Sequence, residues 1–128
     1  GDLGFITVSL WKLLNNEQPV IFGDGSVVRD YIYIDDVVSA NLLALEKVTE
    51  NKILNLGFGE GFSQNQIIEA MGRVLGKEIK PKYVEEKKAD VQKIYLDISR
   101  IRAQLGWEPK VSLEEGIKKT YKYLKRLV

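Results

Sequence analysis

The ionisable residues permit some chemistries and forbid others. The 128 residues include no cysteine and no histidine. A thiolate nucleophile, a Ser-His-Asp triad and an imidazole- or thiolate-ligated metal are therefore excluded. Arginine, lysine, tyrosine and carboxylate chemistry remain. The most suggestive arrangement is IFGDGSVVRDYIYIDD, Ile21 to Asp36. A short apolar segment gives way to a turn of small residues, and Arg29-Asp30 follows at the root of an alternating segment, Tyr31 to Ile34. The planar fork of a guanidinium suits a phosphate or a carboxylate. An arginine just beyond such a turn can meet an anion that approaches the backbone closely. The same dipeptide also fits a plain surface ion pair.

Two further patterns look chemical and fail on spacing or place. The glycines of NLGFGEGFSQNQI stand at 57, 59 and 61, between a predicted strand and a predicted helix. That is the setting of a dinucleotide-binding fingerprint. Counted from Gly57, its third glycine falls at 62, where Phe62 would obstruct close helix–strand packing. A loop followed by a capped helix is the better reading. Tyr121 and Lys125 fit Tyr-x-x-x-Lys, a spacing that puts both side chains on one helix face. They lie at the end of a lysine-rich helix beside no glycine loop, so the match reads as chance.

The elements that must position these residues alternate in type. Residues 3–16 carry apolar side chains at helical spacing and stop at Asn15-Asn16. Pro19 introduces a strand, Val20 to Phe22, and GDGS turns the chain into a second strand, Tyr31 to Ile34. Asp35 or Asp36 is expected to cap the next helix, because a short side-chain oxygen satisfies its orphan amides. A strand at Ile53 to Leu56, the glycine loop and a helix follow, with Ser63 and Gln66 as a capping box and Gly76 as the stop. Pro81 leads a short strand near Tyr83-Val84, and a short helix stops at Gly106. Ser112 and Glu115 open a last amphipathic helix. The alternation predicts an α/β fold in one domain, residues 1–128. Asp97 reads as a cap, and Trp107 as a packing residue.

Composition narrows the class. Apolar residues make up 45% and charged residues 29%, as in soluble globular proteins. No apolar run approaches the roughly 20 residues of a membrane span, so no membrane partner and a cytoplasmic location are expected. The net charge of +1 is uneven: residues 1–76 hold 5 basic against 10 acidic side chains, residues 77–128 hold 14 against 8. The basic half interleaves lysines with apolar residues and glutamates, which reads as a solvated helix face and not as a nucleic-acid platform.

With these residues placed, the chain resembles a known family. IFGDGSVVRDYIYIDDVVSANLLAL, ILNLGFGEGFS, YLDISRIRAQLGWEP and VSLEEGIKK, in this order, are similar to the C-terminal half of extended short-chain dehydrogenase/reductase enzymes acting on nucleotide sugars. UDP-glucose 4-epimerases are the nearest group. The resemblance implies a small C-terminal substrate-binding portion without most of the Rossmann sheet. It implies that NAD and the catalytic Tyr-x-x-x-Lys belong to a missing Rossmann half, and that the chain is a truncated protein or a fragment, inactive alone. In the complete enzyme NAD would take a hydride from sugar C4, the 4-keto intermediate would rotate, and the hydride would return to the other face.

Residue by residue, the resemblance puts Val20 and Phe22 along the nucleobase of a UDP-sugar. Arg29 falls at the diphosphate or ribose, with Asp30 and Tyr31 in the pocket wall. The family pattern R-P-G-D falls on Lys87, Lys88, Ala89 and Asp90, so that Asp90 would accept a ribose hydroxyl. Lys87 would stand for the diphosphate-gripping arginine as a point charge instead of a fork. A 4,6-dehydratase, decarboxylase or reductase of the same family is the nearest rival. A stand-alone nucleotide-binding module and a nucleic-acid binder are rivals of other classes. Residues 53–56 and the helix after Asp36 are strongly apolar, and without the Rossmann half they are expected to be exposed and to drive homodimerisation.

Overall fold

The structure is a computed structural model that describes residues 4–47, 55–86 and 96–128. In chain order its elements are α1 (Phe5–Leu14), β1 (Val20–Phe22), β2 (Val28–Asp30), α2 (Ile34–Glu46), β3 (Gly61–Ser63), α3 (Gln64–Leu75), β4 (Lys82–Val84), α4 (Ser99–Leu105) and α5 (Leu113–Lys125). β1 and β4 pair in parallel, with Ile21 opposite Tyr83. β2 and β3 pair antiparallel, with Arg29 opposite Phe62. The chain is therefore α/β as expected, with its sheet divided into two short pairs among the described residues.

Two apolar clusters hold the elements together. The larger gathers Leu10 of α1, Ile21 of β1, Ile67 and Met71 of α3, and Ile117 and Leu124 of α5. Burying a side chain of this size stabilises the fold by about 1.5–3 kcal/mol. The smaller gathers Ala40 of α2, Ile98, Ile101 and Leu105 around α4, and Trp107. Helix ends follow the expected chemistry in most places. Ser63 and Gln66 form the reciprocal capping box of α3, and Gly76 and Gly106 close α3 and α4 in the left-handed conformation. Asn16, at φ 58°, turns the chain after α1. At α5 the Ser112 hydroxyl oxygen accepts from the Glu115 amide, as a cap should.

Several expectations are corrected. The second strand is Val28–Asp30, and Tyr31 to Tyr33 join no ladder. Their alternation has another cause: Tyr31 packs on the larger cluster and Ile32 on the smaller, so successive side chains face opposite cores. Part of the expected glycine loop is β3 instead. Of the strand expected at residues 53–56, the first two lie outside the described residues, and Asn55 and Leu56 join no ladder. The N-cap of α2 is Tyr33, with no side-chain cap bond, so neither Asp35 nor Asp36 caps it. Asp36 is buried and its carboxylate accepts from the amides of Lys110 and Val111, both at 3.0 Å. Asp35 instead lies 4.0 Å from Lys119 on α5.

Candidate functional site

Arg29 and Asp30 sit side by side on β2 but do different work. The Asp30 carboxylate accepts from the amides of Phe58 at 2.8 Å, Gly59 at 2.9 Å and Leu96 at 3.3 Å. Three backbone donors converge on one acid, which ties the glycine loop to β2 and to the segment before α4. A Cβ on Gly57 would lie 2.9 Å from an Asp30 oxygen, so the loop needs glycine there to approach so closely. Asp30 is thus a structural clamp. Its neighbour Arg29 is half-buried and donates from Nη1 to the Val28 carbonyl at 3.0 Å.

Tyr31 continues from this pair. Burial raises its phenol above the ordinary value of 10.0, while the Arg29 guanidinium pulls it down. The two side chains are therefore electrostatic neighbours. Tyr31 and Asp30 line a cleft of about 640 Å³, together with Tyr33, the start of α1 and the side of α5. Lys119 of α5 stands 5.5 Å from the centre of the Tyr33 ring. Val20, Phe22 and Arg29 are not among the residues lining this cleft. Val20 and Phe22 share the face of β1 opposite the buried Ile21, by the two-residue period of a strand. Phe22 is 59% exposed and offers a free aromatic face. The turn 23–27 joins it to β2, and so to Arg29. Lys87, Lys88, Ala89 and Asp90 lie outside the described residues.

The two patterns set aside in the sequence are packing features. The amides of Phe58 and Gly59 are spent on Asp30, and Gly61 pairs with Asp30 in the β2–β3 ladder. The Phe58 and Gly59 amides are therefore not open to a pyrophosphate, and this loop does not fit the dinucleotide fingerprint. Lys125 lies 6.0 Å from the Tyr121 ring centre, an ordinary contact between successive helix turns. Trp107 is buried and donates from Nε1 to the Ser39 hydroxyl at 2.9 Å, a packing role as expected. Asp97 accepts from the Ser99 amide, which holds its carboxyl below the ordinary value at the entry to α4. Sequence reasoning missed Asn65 and Tyr83, which clasp the turn 23–27. Their only sequence signal was an asparagine at the start of a helix, opposite a glycine-rich turn.

Comparison with known proteins decides the family. The family model described as GDP-mannose 4,6 dehydratase matches residues 5–120. The chain belongs to this family. Its fold and sequence are similar to a UDP-glucose 4-epimerase of Thermotoga maritima solved with UDP-glucose. That match has a TM-score of 0.90 and 43% identity, and covers 99% of this chain and 41% of the other. A UDP-glucuronate 4-epimerase of Thermodesulfobacterium geofontis is 43% identical over 116 residues, 89% of this chain and 36% of the relative. A UDP-glucuronic acid 4-epimerase of Bacillus cereus, solved with UDP-glucuronic acid and NAD, matches with a TM-score of 0.85 and 29% identity over 98% of this chain and 40% of the other. The chain thus spans about 40% of the length of the relatives it matches. It corresponds to the C-terminal part of an extended short-chain dehydrogenase/reductase. Among the described residues no helix is long and apolar enough to cross a membrane.

Proposed function

We propose that this chain, residues 1–128, grips the nucleotide diphosphate of a UDP-sugar within a longer NAD-dependent C4 epimerase. The observation that carries the reading is the likeness, over nearly the whole chain, to an epimerase solved with UDP-glucose. Local geometry agrees with it. Phe22 offers a ring face for a base, and Arg29, beyond the turn, offers charge for phosphates with Tyr31 beside it. Lys87 and Asp90 complete the proposed set, as a second phosphate contact and a ribose acceptor. Holding the substrate by its nucleotide leaves the sugar free to turn, which C4 epimerisation needs. Binding energy from this remote part of the substrate serves the reacting end.

The glycine loop spends the amides of Phe58 and Gly59 on Asp30, and we assign the cofactor and the redox step to the Rossmann half of the longer enzyme. This chain alone is then inactive. We place the protein in the cytoplasm and expect isolated copies to associate through α2. A second reading within the family, a 4,6-dehydratase acting on a GDP-sugar, is favoured by the description of the matching family model. Calorimetric titration of the chain with UDP, GDP and an oligonucleotide separates the readings. Saturable UDP binding that exceeds GDP binding supports the proposal. Preference for GDP supports the dehydratase, and binding of the oligonucleotide alone overturns both.

A further inference from the structure

The turn between β1 and β2 is held from outside by one side chain. Asn65, the second residue of α3, donates from Nδ2 to the Asp24 carbonyl at 3.0 Å, and from its amide to the Gly25 carbonyl at 3.1 Å. Its Oδ1 accepts from the Tyr83 hydroxyl at 2.7 Å. Tyr83 lies on β4, directly opposite Ile21 of β1. A Cβ on Gly25, where φ is 78°, would collide with Asn65 Oδ1. The glycine turn is therefore shaped around this amide. Within the turn, Asp24 accepts from the Ser26 amide at 2.9 Å, which stiffens the same few residues.

The clasp closes a ring through the β1–β4 pair. β1 runs into the turn, the turn binds Asn65, Asn65 binds Tyr83, and β4 returns to β1. On its other side α3 follows directly from β3, whose Ser63 pairs with Val28 of β2. Asn65 thus stands where the two strand pairs meet. Phe22 ends one pair and Arg29 lies in the middle of the other. We infer that Asn65, supported by Tyr83, is a positioning residue that sets the spacing between Phe22 and Arg29 for a ligand touching both. The inference rests on the nucleotide-diphosphate reading above. A ligand that engages two points gains from their fixed separation, whereas a ligand that engages one does not.

NMR titration of the chain, Asn65→Ala and Tyr83→Phe against UDP, uridine and inorganic pyrophosphate tests the inference. Uridine reaches only the Phe22 side, pyrophosphate only the Arg29 side, and UDP spans both. Removing the Asn65 side chain is expected to weaken UDP binding about tenfold, and removing the Tyr83 hydroxyl about threefold, the worth of one ordinary hydrogen bond or less. Uridine and pyrophosphate affinities are expected to stay unchanged. Tyr83→Phe deletes a single exposed hydroxyl, so it carries the test even where Asn65→Ala fails to fold. Unchanged UDP affinity in the folded variants, or an equal loss for all three probes, overturns the inference and leaves the UDP reading standing. No UDP binding by the unaltered chain overturns both.

Discussion

The two apolar clusters are built by different means. The larger is closed mainly by apolar packing: α1, α3, α5 and β1 meet on Leu10, Ile21, Ile67, Met71 and Ile117, all at 1% exposure or less. The polar tie between its helices, Arg73 of α3 to Glu114 of α5 at 2.7 Å, is solvent-exposed. The smaller has fewer apolar groups and leans on polar staples. Asp36 holds the amides of Lys110 and Val111, Ser39 accepts from Trp107, and Lys47 donates to the Leu105 carbonyl at 2.9 Å. Its main helix, α2, is also covered on one side only. Ile34, Val38, Leu42 and Leu45 form an outward stripe at helical spacing, with Leu42 56% and Leu45 85% exposed. The first cluster is complete in itself. The second is finished toward this chain and open on the other side, as expected of a surface that another body covers.

The contrast can be broken by mutation. The largest effect is expected in the closed cluster: Met71→Ala leaves a cavity and should cost about 3 kcal/mol in denaturant unfolding. Asp36→Ala removes the buried acceptor of two part-buried amides and should cost about 2 kcal/mol by the same measurement. A loss below about 0.5 kcal/mol would show that packing, and not the staple, holds the smaller cluster. On the open stripe, Leu42→Glu should change stability by less than about 0.5 kcal/mol. It should nevertheless abolish self-association that light scattering detects in the unaltered chain. A monomer at high concentration before mutation would mean that the stripe has no partner in a second copy.

The smallest effect concerns pH. Burial raises the Tyr31 phenol in the folded state, so the folded chain keeps that proton longer than the unfolded one. This contribution is whole below the ordinary value of 10.0 and is lost as pH rises above it. Tyr31→Phe should flatten that alkaline decline in a melting series. An unchanged slope would mean that the phenol is not buried in solution.

Local chemistry was readable in the sequence wherever it depends on near neighbours. The Ser63–Gln66 capping box, the glycine stops at 76 and 106, and the apolar spacing of α1 and α5 all involve residues within one or two turns. What was misread depends on distant partners. Tyr31 and Ile32 alternate because two cores flank them, which copies the signature of a strand. Asp36 looks like a cap until the amides of Lys110 and Val111 are brought to it. Asp30 looks like a partner for Arg29 until the chain returns at Phe58, Gly59 and Leu96. Asn65 gave only a faint signal, an asparagine at the start of a helix, since its role exists only once the turn and β4 lie beside α3. Arg29 was picked by side-chain type and by its turn, and its electrostatic neighbour Tyr31 was two residues away.

In the proposed function Arg29 supplies the positive charge that holds a nucleotide diphosphate. The most direct test of this role is calorimetric titration of UDP into the chain and into Arg29→Ala. A charge-assisted hydrogen bond to phosphate is worth about 1.5–3 kcal/mol. UDP binding is therefore expected to be saturable and to weaken at least about tenfold in the variant, with an unfolding midpoint close to that of the unaltered chain. Equal UDP affinity in the two proteins would contradict this role.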